Sequence, residues 1–256
     1  MICIMRVLIA GYKQVSLTDV YGEPVFTLWL CRCNLRCPFC HNWRLAVADH
    51  SVCRYEDVDG IVEDIARAKP YITYLHVTGG EPLIQVDALE RLFTGTRGYG
   101  IDNSLNTNLT FPDRLERLLS KDLVEHIASD LKVPFQELTG LGERSRGVWE
   151  RFRRSLEILS GYNVLFELRI PVAHELTLRY IDTTLECIGD ILKRIHRIYC
   201  IVNPLVGEPL VHPRDRDWSR RYCNPSMDEV ERVAEIVRER IGCRVYVRRW
   251  WVSTHQ

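Results

Sequence analysis

Apolar positions along this chain follow two alternating patterns. Short continuous runs of β-formers are separated by stretches in which apolar residues recur every three or four positions, as in βαβ units around a mainly parallel sheet. Pro24 to Leu30 predicts the first strand, Tyr55 to Ala68 a helix, and Tyr71 to Thr78 a second strand that runs into Gly79-Gly80-Glu81-Pro82. Val86, Leu89 and Phe93 mark a short helical face, and a third strand is predicted near Ile101 to Asn106. Pro112 suits a first helical turn with Leu115, Leu118 and Leu119 on one face. Glu125 to Leu131 is the predicted fourth strand, followed by a polar segment from Gly140 to Gly147 and a helix over Val148 to Leu159. Asn163 to Pro171 reads as the fifth strand. The stripe Ile181, Leu185, Ile188, Leu192 and Ile195 predicts a helix over Leu178 to His196, with the sixth strand at Arg197 to Asn203.

Pro204 to Pro225 holds four of the eleven prolines and many charges, and is predicted as a long surface loop. Ser226 with Glu229 forms a capping box ahead of Val230, Val233, Ala234, Val237 and Ile241, Gly242 stops that helix, and Arg244 to Arg248 offers a last strand. No repeat of fixed period appears beyond this alternation. One α/β domain is expected.

At 256 residues, with 46% apolar and 27% charged, the composition is that of a globular protein with a sizeable core. The N-terminal apolar stretch is short and broken by Lys13, Asp19 and Glu23, which leaves neither a signal-peptide core nor a spanning helix. The expected compartment is therefore the cytoplasm, with no membrane partner. Zero formal net charge gives no electrostatic reason to expect nucleic acid. Basic stretches at Arg144 to Arg154 and Arg248-Arg249-Trp250-Trp251 could contact RNA or a partner protein, but zero net charge favours a solvated helix face and an amphipathic tail. Ten cysteines are too few for a disulfide scaffold, and they are expected to be reduced.

Three of those cysteines stand together. Cys33-Asn34-Leu35-Arg36-Cys37-Pro38-Phe39-Cys40 follows the first predicted strand and supplies three thiolates from one loop. A fully protein-ligated [4Fe–4S] cluster takes four, so three leave one iron open for a ligand. The alternative is a structural zinc site completed by Cys31 or His41, but neither has comfortable tetrahedral spacing. Cys33, Cys37 and Cys40 are the candidate metal ligands. With Gly79-Gly80-Glu81-Pro82 after the second strand, the spacing resembles the radical S-adenosylmethionine (SAM) superfamily, in which the open iron binds SAM and its reductive cleavage gives a 5′-deoxyadenosyl radical.

Within that superfamily, Gly11 to Asp19, Cys40-His41-Asn42, Asn106-Thr107-Asn108 and Asp130-Leu131-Lys132 are similar to activating enzymes of glycyl radical enzymes, above all the anaerobic ribonucleotide reductase branch. The resemblance implies a partial (β/α)6 TIM-like barrel with N- and C-terminal additions, the core spanning about residues 20–205 and an extension about 206–256. It implies a [4Fe–4S] cluster and SAM as cofactors, a glycyl radical enzyme as partner, and an electron donor such as flavodoxin or ferredoxin. It makes Asp130 and Lys132 the catalytic pair. Phe39, Gly79, Gly80, Glu81, Asn106, Asn108 and Arg169 join them around SAM, with Glu81 facing its ammonium and Arg169 its carboxylate.

The chain departs from the family pattern twice. Cys31-Arg32 stands where Gln-Gly precedes the first cluster cysteine, and Asn106-Thr107-Asn108-Leu109 stands where Asp-Thr-Asn-Gly is common. These changes bear on the third loop's approach to substrate and on a monovalent-cation site of some relatives. His174 follows the fifth strand and either lines the site or is solvated. Cys187, Cys200, Cys223 and Cys243 are either buried hydrophobes or ligands of an auxiliary cluster. Two other functions stay open: a radical SAM enzyme modifying a small molecule, lipid, peptide or RNA, and a non-catalytic zinc-binding module.

Overall fold

The computed structural model describes residues 5–249. Strands β1 (Arg6–Val20) and β2 (Glu23–Leu30) form a long antiparallel hairpin, and β3 (Arg54–Asp57) pairs antiparallel with the first part of β1. From β2 onward each neighbour is parallel: β4 (Tyr74–Gly79), β5 (Asp102–Asn106), β6 (His126–Asp130), β7 (Leu165–Val172), β8 (Ile198–Pro204) and β9 (Arg244–Val247). Among the described residues they make one sheet, ordered β3-β1-β2-β4-β5-β6-β7-β8-β9. The crossovers carry α1 (Trp43–Ala46), α2 (Val58–Ala68), α3 (Val86–Gly98), α4 (Pro112–Leu119), α5 (Phe135–Leu138), α6 (Ser145–Leu159), α7 (Leu176–Arg194), α8 (Arg216–Tyr222) and α9 (Met227–Ile241). The expected α/β plan is present. Six parallel strands, β2 and β4 to β8, form the barrel wall, with β1 and β3 added before it and β9 after it.

Strand alternation sorts the side chains into two environments. Phe26, Leu28, Leu75, Val77, Leu105, Ile127, Phe166, Leu168 and Val202 join the helices' apolar stripes in one core. The opposite face is polar. His76 Nδ1 lies 2.8 Å from Ser104 Oγ, which lies 2.7 Å from His126 Nδ1, while the Tyr199 hydroxyl donates to Glu167 and stands 3.4 Å from His126 Nε2. Burial lowers both histidines, His126 to about 4, so the network holds them neutral.

Among the described residues the ladder does not close on itself. The end of β1 and its turn instead meet β7 and the end of β9 through side chains: the Tyr21 and Tyr246 rings are 4.7 Å apart, Arg169 of β7 donates to the Asp19 carbonyl at 3.0 Å, and Arg248, just after β9, donates to the Thr18 carbonyl at 3.5 Å.

Several elements differ from the sequence reading, among them the short α1 and α5, which it did not give. β1 was hidden because register shifts break its alternation. The first helix starts at Val58 rather than Tyr55, since residues 54–57 are drawn into pairing with β1 and Asp57 caps α2. The loop from Pro204 to Pro225 contains α8. The Ser226–Glu229 capping box forms, and Gly242 ends α9 at φ 75°. In the basic run, Arg153 and Arg154 pair with Glu150 and Asp113. Trp250 and Trp251 lie outside the described residues. No helix among the described residues is long and apolar enough to cross a membrane.

Candidate active site

The cysteine loop leaves β2 and is pinned on several sides. Arg32 N and Cys33 N donate to the Leu45 and Ala46 carbonyls at 2.8 and 3.0 Å, and Arg36 N donates to the Thr139 carbonyl at 2.9 Å. Cys33, Cys37 and Cys40 share one apolar surround with Leu35, Phe39, Phe135 and Val148. Burial pushes the Cys33 thiol to about 11, the Cys37 thiol to about 12 and the Cys40 thiol upward, with Lys132 opposing all three shifts. Loading metal therefore releases protons from buried thiols. No group of three or more His, Cys, Asp or Glu side chains among the described residues is spaced around a single metal ion. Three soft thiols on one loop, beside a buried cation, fit a [4Fe–4S] cluster with one open iron.

The β4 exit lies against this loop. A Cβ on Gly79 would come within 2.3 Å of the Leu30 carbonyl, and one on Gly80 within 2.1 Å of the Arg32 carbonyl. These glycines are required by the close approach of the turn to the β2 exit. Glu81 differs from expectation. Its carboxylate is fully buried and accepts from Leu83 N at 3.0 Å, Thr107 Oγ1 at 2.7 Å and Asn108 N at 2.7 Å. Burial raises its pKa against those three donors. The side chain joins the β4 and β5 exits, where sequence reasoning turned it toward a SAM ammonium.

Asn106 donates to Thr78 Oγ1 at 2.9 Å. Asn108 Nδ2 reaches Asn34 Oδ1 at 2.9 Å and Cys33 Sγ at 3.9 Å, so the third loop also supports the cluster loop. Both departures from the family's glycines keep a left-handed backbone: Arg32 at φ 79° and Leu109 at φ 57°. The fold imposes the conformation even where the residue does not favour it.

Asp130 and Lys132 arrive from the β6 exit and meet at 3.2 Å. Burial disfavours both charges, yet Lys132 and Arg169 hold Asp130 below its ordinary value, while Asp130 and the thiols hold Lys132 above its own. His41, lowered by burial, lies within reach of Asp130's charge. Arg169 binds Glu167 and the Asp19 carbonyl, so in this structure its guanidinium is held by the inner face of the barrel rather than free for a ligand's carboxylate. Phe39 packs 5.9 Å from Trp218. His174 keeps a partly exposed side chain, and its Nδ1 lies 2.7 Å from Glu229, joining the β7 exit to α9.

The remaining cysteines bring one correction. Ile9 of β1 pairs with Leu30 on one side and Arg54 on the other, which sets Cys31 and Cys53 together, and they form a disulfide where reduced thiols were expected. Cys200 and Cys243 touch at 3.3 Å, but Cys187 is exposed on α7 and Cys223 lies in a separate apolar cluster. The four do not assemble around an auxiliary cluster. Sequence reasoning missed Asn34, which joins the cluster and third loops, and Arg214, whose backbone N donates to the Cys40 carbonyl at 3.1 Å. Nothing in a proline-rich charged run signals such a contact. Arg214 and Trp218 also border a cleft of about 570 Å³ beside Arg36, Pro38 and Gly140 of the cluster side.

Comparison with known proteins agrees with this geometry. Over 168 residues the chain is 26% identical to a protein of Methanocaldococcus jannaschii named as a glycyl-radical enzyme activating enzyme, spanning 64% of this chain and 68% of that one. It is 36% identical over 127 residues to the 7-carboxy-7-deazaguanine synthase of Hyperthermus butylicus, covering 45% of this chain and 50% of the relative. A pyruvate formate-lyase-activating enzyme of Staphylococcus aureus matches at 35% over 101 residues, 36% of this chain and 39% of that one. The last two matches thus span half or less of the relatives' lengths. Two solved structures share the fold. Streptococcus suis SuiB bound to precursor peptide SuiA has a TM-score of 0.59 at 14% identity over 86% of this chain and 47% of that one. TYW1 with a lysine-pyruvate adduct bound has 0.55 at 16% over 86% and 75%. The family profile "Radical SAM superfamily" matches residues 29–188, the stretch that carries the cysteine loop, the Gly-Gly turn and the Asp130–Lys132 pair. This chain therefore belongs to the radical SAM superfamily, whose enzymes use a [4Fe–4S] cluster and S-adenosylmethionine.

Proposed function

We propose that the chain activates a glycyl radical enzyme. The observation that carries this reading is the likeness to activating enzymes, one spanning most of a relative's length and one a shorter stretch. Bound cluster and SAM supply one-electron cleavage to an organic radical that abstracts a hydrogen atom, here from a glycine Cα of the partner. This chain's residues bind, orient and exclude water. Cys33, Cys37 and Cys40 would hold the cluster. Gly79, Gly80, Asn106 and Asn108 set the rim on which SAM rests, with Glu81 fixing the two exits from beneath. The Lys132 ammonium, kept charged by Asp130, would hold the SAM carboxylate near the thiols. Phe39 would seat the adenine, and Arg169 would keep Asp130 ionised. The cleft beside the cluster loop gives a partner chain or a donor such as flavodoxin or ferredoxin a route of approach.

Reduced protein with SAM and the host's own glycyl radical enzyme should produce a glycyl doublet in electron paramagnetic resonance. Formation of 5′-deoxyadenosine with a small-molecule extract, and no doublet, would instead support the second reading, small-molecule modification. The 36% identity to the deazaguanine synthase favours that alternative.

A further inference from the structure

We propose that Arg214 is a positioning residue for the iron–sulfur cluster, delivered by a strap outside the stretch shared with the family. The strap runs from Leu205 to Asn224, and its two ends meet. Leu205 N donates to the Val172 carbonyl at 2.9 Å and Asn224 N to the Leu205 carbonyl at 2.7 Å, while Gly207 N reaches Asn224 Oδ1 at 3.1 Å. Tyr222 accepts from His174 N at 2.7 Å, and Cys223 packs with Leu138, Ala173, Leu176 and Leu205. A loop closed at its base in this way has a fixed tip.

That tip lies on the cysteine loop. Arg214 N and Asp215 N donate to the Cys40 and Pro38 carbonyls at 3.1 and 2.9 Å, and Arg214 Nη1 reaches the Leu35 carbonyl at 3.4 Å. Arg214 therefore spans the loop between the first and last cluster ligands, its backbone at Cys40 and its guanidinium at Leu35. Among the described residues Arg214 makes no ion pair, whereas neighbouring Arg216 meets Glu208 at 3.1 Å and Lys132 meets Asp130 at 3.2 Å. A cation held on the cysteine loop beside Cys40 without a carboxylate partner among the described residues is balanced once the sulfurs are thiolates bound to iron. Charge and hydrogen bonding around the sulfurs are the protein's means of tuning such a cluster. The strap's inferred task is to shield the Cys40 corner and favour the reduced cluster.

The inference rests on the cofactor assignment, so the parent is reconstituted anaerobically beside Arg214→Gln, Arg214→Lys and Arg216→Gln. Two quantities are read: the half-life of iron loss to a chelator, and the reduced-to-oxidised cluster ratio at one fixed potential. R214Q is expected to lose iron about tenfold faster and to show a ratio about tenfold lower, which is 59 mV for one electron. R214K should stay within about threefold of the parent, because the charge is kept, and R216Q should match it. Should R214Q fail to fold, Arg214→Met, which keeps the apolar stem, carries the same expectation. Parent-like values in R214Q, or R214K as impaired as R214Q, overturn the role of the charge. A parent that takes up no iron overturns the cofactor assignment and the strap's role with it.

Discussion

Replacing Glu81 by alanine separates two readings of the Gly-Gly-Glu turn. If the carboxylate serves chiefly a ligand, the protein without cofactors should be as stable as the parent. The structure gives a different expectation, since the carboxylate holds two backbone donors, Leu83 N and Asn108 N, and the Thr107 hydroxyl in a fully buried place. The hydroxyl can turn elsewhere, but the two amides cannot. Leaving each unsatisfied costs about 1–3 kcal/mol, or about 2–6 kcal/mol together. Relief of a buried charge whose pKa burial already raises offsets part of this, leaving about 1–4 kcal/mol. With a urea dependence of about 3 kcal/mol per molar for a chain of this size, the unfolding midpoint should fall by about 1 M. The assay is urea unfolding of the cofactor-free protein, followed by circular dichroism. An E81A midpoint equal to the parent's, accompanied by lost SAM binding, would refute the structural role and restore the ligand contact.

Each of Cys33→Ala, Cys37→Ala and Cys40→Ala should abolish the four irons taken up on anaerobic reconstitution, measured by iron and sulfide assay. Cys53→Ser should retain them, yet lose about 3 kcal/mol of stability under oxidising conditions, because the disulfide closes a loop with a sequence separation of 22. Leu109→Gly relieves about 1–2 kcal/mol of left-handed strain but removes a fully buried side chain worth about 3–5 kcal/mol, so its thermal midpoint should fall; exposed Arg32→Gly should be neutral or stabilising. His126 is held near 4 in the fold against about 6.5 unfolded, so the unfolded chain takes up the proton first and stability falls as pH drops from about 6.5 to 4. His126→Gln should remove about 3 kcal/mol of the loss between pH 7 and pH 4, and an unchanged loss would count against this account.

The parallel strands were legible because each is a short apolar run ending in polar residues, and the capping box of α9 is a local signal that reports its own geometry. Cys33, Cys37 and Cys40 were legible for the same reason, as one loop carries all three. β1 was not, because its bulges and exposed middle erase the alternation on which a strand is recognised. Glu81, Arg169 and Arg214 show the larger limit. Their residue types announce charge, but whether that charge faces ligand, lumen or loop depends on partners such as Asn108, Asp19 and Leu35 that lie far away in sequence. The Cys31–Cys53 pair is invisible for the same reason, since only the pairing of β1 with both β2 and β3 brings the two together.

The seam between the first hairpin and β9 gives the barrel a direction of easy deformation. Parting any two neighbouring strands elsewhere breaks a backbone ladder, which for β7 and β8 joins seven residue pairs. Parting the seam breaks the Tyr21–Tyr246 contact and the two arginine-to-carbonyl bonds, at about 1 kcal/mol each. Among the described residues the seam is therefore the most weakly held line of the wall. One of those two bonds belongs to Arg169, which also bears on the charge of Asp130, so widening the barrel and altering the electrostatics beside the cysteines are one mechanical event.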